Sequence, residues 1–95
     1  MSYYNRKGIQ VSLLEWAKLN HCVAVNRTGD VFVSTILLGP AVHLSITERP
    51  MIFETMVFRE GEDGEREIID EDRYPSEDEA LFGHRSMCER YGVAT

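Results

Sequence analysis

The chain has 95 residues, 43% of them apolar, and a formal charge of −6 at pH 7. A chain of this length makes one domain, residues 1–95, burying only about two-thirds of its unfolded surface, so self-association would help it. The acidic balance argues against direct nucleic-acid binding, no apolar run approaches the roughly 18 residues of a membrane span, and MSYYNRKG does not read as a signal peptide.

Charge is unevenly spread. Residues 60–79 hold eleven acids and two arginines, a charge of −9, against +3 for the rest. Such a run reads as a solvated turn and edge, or as an acidic surface that docks on a basic partner. Glu62, Asp63, Glu65, Asp70, Glu71 and Asp72 are the candidate residues for docking. Cys22 and Cys88, with no secretion signal before them, read as reduced thiols in a cytoplasmic protein.

Tyr3 to Val11 predicts a short strand or tight hairpin turning at Asn5-Arg6-Lys7-Gly8. Ser12-x-x-Glu15 is a capping box opening a helix to Asn20, with Trp16 as its core anchor. His21 to Val25 predicts a first meander strand, and Arg27-Thr28-Gly29-Asp30 the turn after it. The second strand, Val31 to Leu38, is apolar on both faces, which argues for cover on both sides. With two helices available, one cover is expected from another subunit, making the protein a homo-oligomer.

Gly39-Pro40 stops that strand, and the connection to Pro50 is long enough to read as functional. Met51 to Phe58 predicts the third strand. Glu54 is the one carboxylate in it, and a buried carboxylate must be paired or protonated. Arg49, His43 and Ser34 are its candidate partners. After the Glu60–Gly64 turn, Glu65 to Asp70 predicts a charged edge strand. Ser76-x-x-Glu79 is a second capping box, starting a helix whose apolar face holds Ala80, Leu81, His84, Met87, Cys88 and Tyr91, and which Gly92 ends. The whole predicts an α+β domain: a four-stranded antiparallel meander, a short N-terminal helix and a C-terminal helix.

VSTILLG (33–39), MIFETMVF (51–58) and RYPSEDEALFGH (73–84) resemble a family of small uncharacterised phage and prophage proteins. Those proteins share a VSTVWLG-like strand, a loop with Asp-His, an IFETMVF-like strand and a RYxTEEEALxGH-like segment. His43 takes the place of the family histidine, with Val42 where the acid would be. The resemblance implies phage origin and carries no established activity.

Chemistry at named residues leaves three classes. The first is a non-catalytic binder of a small anionic ligand, with Thr35, His43, Ser45, Arg49 and Glu54 around a pocket at a subunit junction. Arg49 would engage the anion, His43 would stack or donate, and Thr35 or Glu54 would bond sugar or base edges. In a phage protein such a ligand would be a nucleotide signal of host immunity, sequestered and not cleaved. The second is the acidic inhibitor of a host nucleic-acid-binding or defence complex. The third is a small hydrolase using His43 and Glu54 as acid and base. His84 and Cys88, four apart, could share a metal with His21, Cys22 or His43, but no Cys-x-x-Cys or His-Glu-x-x-His motif supports it. No metal or cofactor is expected.

Overall fold

The computed structural model describes residues 2–40 and 49–95. Its elements are β1 (Tyr3–Tyr4), β2 (Gln10–Val11), α1 (Leu13–Ala17), β3 (Cys22–Thr28), β4 (Val31–Leu37), β5 (Phe53–Glu60), β6 (Arg66–Tyr74) and α2 (Glu77–Tyr91). Strands β3 to β6 form one antiparallel meander in chain order, and α2 packs across all four. The α+β architecture is the expected one.

The small hairpin β1–β2 forms because Asn5 organises its own turn. The Asn5 side-chain oxygen accepts from the amides of Lys7 and Ile9, each at 3.0 Å, and Gly8 supplies the positive φ of 82°. Ser12 then caps α1 as its sequence announces, its hydroxyl accepting from the Glu15 amide at 3.1 Å. The helix ends at Ala17, earlier than the expected Asn20. Lys18 and Leu19 close it by donating to the carbonyls of Glu15 and Trp16, and the His21 ring bonds to that same Trp16 carbonyl while stacking on the indole at 4.0 Å. These contacts turn the chain directly into β3.

Trp16 is the anchor, its indole N–H donating to the Leu38 carbonyl at 2.9 Å. The rest of α1 buries nothing, and Leu14 is 73% exposed. A five-residue helix makes little more than one turn, so it can set only a residue or two against the core.

Alternation along β4 and β5 decides what faces α2. Val31, Val33, Thr35 and Leu37 pair in register with Arg59, Val57, Thr55 and Phe53. Two apolar clusters result. Tyr4, Leu37, Ile52, Phe53 and Ala80 fill one end, joined by Trp16, Leu19, Val23 and Tyr74. Val31, Val33, Val57, Met87, Cys88 and Val93 fill the other.

Strand β6 runs to Tyr74, four residues beyond the expected Asp70. Glu71, Asp72 and Arg73 keep their places in the ladder opposite Met56, Thr55 and Glu54. Backbone pairing holds this charged segment where propensity would release it. The register slips once, between Val57 and Phe58, and Ile69 joins the core on the helix side.

Helix α2 obeys both signals read from its ends. Ser76 accepts from the Glu79 amide at 3.2 Å, and Gly92 closes the helix at φ 67°.

Candidate functional site

Between the two apolar clusters lies a band of buried polar side chains. Thr35 and Thr55 face each other across β4 and β5, their hydroxyls 2.5 Å apart. His84, from the middle of α2, comes down onto them, with Nδ1 2.7 Å from the Thr35 hydroxyl and Nε2 2.7 Å from the Asn26 amide oxygen. The Tyr74 phenol meets Thr55 and Asp72 from the far side. Thr35, Thr55, Tyr74, Gly83 and His84 meet at this band, whereas Glu54 and Arg73 pair on the opposite face of the sheet.

The bonds determine the histidine tautomer. The Asn26 amide nitrogen donates to the Ala94 carbonyl at 3.1 Å, so its oxygen is what faces His84. Nε2 therefore carries the proton, and Nδ1 accepts from the Thr35 hydroxyl. Thr35 in turn accepts from Thr55. In an open cleft this order would read as nucleophile, base and orienting amide. Here Thr35 has no exposed surface and a helix lies over it, so no substrate reaches it. The band is a structural latch joining α2 to the sheet.

Burial pushes the His84 pKa below the ordinary 6.5. The unfolded chain then binds a proton that the folded chain refuses. The stabilisation is full above pH 6.5 and is lost as pH falls toward the depressed folded value. Urea unfolding of the wild type is expected to weaken steadily from pH 7 to pH 5, with a flatter profile over that window in His84→Gln. An unchanged slope in the variant would assign the acid sensitivity to another group.

Glu54 is 5% exposed. Its partner is none of the three expected residues: Arg73, opposite it on β6, donates Nε to Glu54 Oε2 at 2.9 Å. Cross-strand neighbours with paired backbones hold a carboxylate and a guanidinium together without a loop. Thr35 and Glu54 lie on opposite faces of the sheet, because Glu54 pairs with Ile36, the residue after Thr35, and successive strand residues point to alternate sides. They do not line one pocket. His43 and Ser45 lie outside the described residues, and with them the His43–Glu54 pair of the hydrolase reading.

Arg49 does find company that the sequence did not suggest. It lies beside the Arg6–Lys7 turn of the β1–β2 hairpin, and the two border a pocket of about 290 Å³ with Gly8, Pro50, Ile52, Pro75 and Ser76. Ser76 is the N-cap of α2, so the partial positive charge of a 15-residue helix points the same way. Glu77 pairs with Arg6, and Glu79 with Arg49 at 3.6 Å. Lys7 has no ion-pair partner among the described residues. Arg6 and Lys7 were legible only as turn residues, since nothing local says that a turn will end beside a position more than forty residues on.

The acidic candidates divide. Asp70 is engaged internally, accepting from the Tyr91 phenol at 2.7 Å and from Arg90 at 2.9 Å, and these bonds lower its pKa. Asp72 accepts from the Arg73 amide and meets Tyr74. Glu62, Asp63 and Glu65 line the β5–β6 turn, exposed, and Glu71 is exposed on the other face. No group of three or more metal-ligating side chains occurs among the described residues. Both ring nitrogens of His84 are occupied, and burial raises the Cys88 pKa, leaving a protonated thiol that packs with Met87.

No family model, no curated protein and no solved structure matches the chain.

Proposed function

We propose that this is a non-catalytic binding protein that holds a small anionic, nucleotide-type ligand where Arg6, Lys7 and Arg49 meet the amino end of α2. The observation that carries this is the gathering of three cations around one pocket in a chain of net charge −6. Overall charge repels anions, so a local basic concavity is where one would be held. Glu77 and Glu79 orient two of the guanidiniums, which leaves Lys7 as the cation without an ion-pair partner among the described residues. The phage-protein resemblance suggests the setting, a phage or prophage accessory protein, counter-defence among its roles, that sequesters its ligand in the host cytoplasm. Self-association as a homo-oligomer belongs to this reading, since a shared ligand junction and a modest core both favour it.

The acidic-inhibitor alternative loses two of its six residues, Asp70 and Asp72, to internal bonds. The hydrolase alternative loses Glu54, which Arg73 engages and the fold shields.

The test is calorimetric titration with a panel of nucleotides and inorganic phosphate at low salt. Saturable binding is expected, weakening as salt rises. Lys7→Ala and Arg49→Ala should each lower affinity about tenfold, the scale of one lost charge-assisted hydrogen bond. Bound ligand should return unaltered on denaturation. Absence of binding across the panel, or binding indifferent to both substitutions, would sink the proposal.

A further inference from the structure

The geometry points to the face of the sheet opposite α2 as the surface on which a second copy of this chain docks. Helix α2 is the one described element packed broadly on the sheet. Register places Val25, Phe32, Ile36, Met56, Phe58 and Ile68 together on the other side. Val25 is 59% and Ile68 51% exposed, and these are large apolar side chains with no described element over them. This is the second apolar face of β4 that the sequence already shows.

Charge selects the occupant. The same face carries Arg27, Arg66 and Arg73 with Glu54, Glu60 and Glu71, a net charge of zero on a molecule of −6. Arg73 pairs with Glu54 at 2.9 Å and Arg27 with Glu60 at 3.6 Å. The Arg27 and Arg66 guanidiniums lie over the Phe32 ring, 4.3 and 4.7 Å from its centre. All the net negative charge is therefore elsewhere. Two copies meeting through their acidic β5–β6 turns bring like charges together, whereas two copies meeting here do not. A basic partner would be drawn to the acidic β5–β6 turn, away from this face.

The size suits a weak, reversible dimer. Four strands at about 4.8 Å spacing and seven residues at about 3.3 Å rise make a surface roughly 19 by 23 Å. Two such faces bury roughly 900 Å² in total, the scale of a weak or transient association. Sheet-on-sheet packing with the strands of the copies about 30° apart accommodates it.

This inference rests on the homo-oligomer reading above, and the experiment separates the two. Sedimentation equilibrium of the full chain from roughly 1 to 500 μM covers the range in which an interface of this size associates. The wild type is expected to dimerise. Val25→Lys and Ile68→Lys, both at exposed positions, should weaken association at least about tenfold. Leu14→Lys, on the exposed side of α1, should leave it unchanged. A wild type that stays monomeric overturns both self-association and the face. An oligomer indifferent to Val25→Lys and Ile68→Lys, or dispersed by Leu14→Lys, keeps self-association and overturns the face.

Discussion

Gly83→Ala is expected to destabilise the fold by about 2–3 kcal/mol, although alanine is the better helix former. Propensity alone predicts the opposite sign, a gain of about 1 kcal/mol in a helix interior. The structure reverses it because the phenol end of Tyr74 lies against α2 at Gly83. A β-carbon there would overlap the ring and its hydroxyl. Tyr74 cannot step aside cheaply, since its ring packs into the cluster of Leu37 and Phe53 and its hydroxyl meets Thr55 and Asp72. Either α2 lifts from the sheet or the ring leaves its partners. Urea unfolding of Gly83→Ala in the wild type and in a Tyr74→Ala background forms the decisive cycle. In the second background the substitution is expected to become neutral or mildly stabilising, as propensity dictates. A stabilised Gly83→Ala with Tyr74 intact would mean that the close approach is not there.

The second large effect concerns the latch. His84→Ala removes a ring that is 4% exposed and leaves the Asn26 oxygen and the Thr35 hydroxyl without their partner. Each stranded group costs about 1–3 kcal/mol and the vacated volume adds to it. A loss of roughly 3–4 kcal/mol is expected, which is a large share of the 5–15 kcal/mol that holds a typical domain together. Thr35→Val keeps the shape but withdraws the donor from Nδ1 and the acceptor from Thr55, and about 2 kcal/mol is expected. For a domain of this length such losses lower the melting temperature by roughly 10 °C or more. Thermal and urea unfolding check both variants. A His84→Ala protein within 1 kcal/mol of wild type would show that the polar band is a passenger and that the apolar clusters alone hold α2.

A core divided by a polar band is a choice with a physical meaning. Apolar residues at Thr35, Thr55 and His84 would pack α2 as well in many rotations. Directed bonds from two strands to one imidazole, with Thr55 of a third strand bonded behind Thr35, accept one placement of the helix only. Every buried side-chain nitrogen and oxygen among the described residues has a hydrogen-bond partner, so the arrangement carries no orphan.

The capping boxes at Ser12 and Ser76, the turn residues Gly8 and Gly29, the stop at Gly92 and the period-two pattern of β4 all act through neighbours a few residues away. Such features are legible in one dimension, and they were sufficient for the fold class and the order of the strands. Boundaries were less legible. Strand β6 outran its predicted end because the paired backbone of β5 held it, and α1 stopped short because His21 folds back on Trp16.

Partnership was the part that only tertiary structure decided. Glu54 was visible from the sequence as a carboxylate needing a partner, but register across β5 and β6, a non-local quantity, chose Arg73 over Arg49. Thr35 reads from its type as a ligand contact, and the face it occupies makes it a core residue instead. Lys7 and Arg6 became candidates only once a hairpin at one end of the chain was seen to lie beside Arg49 and the cap of α2. Local sequence sets propensities over a few residues at a time, while charge pairing and pocket formation depend on which strands and turns close in space.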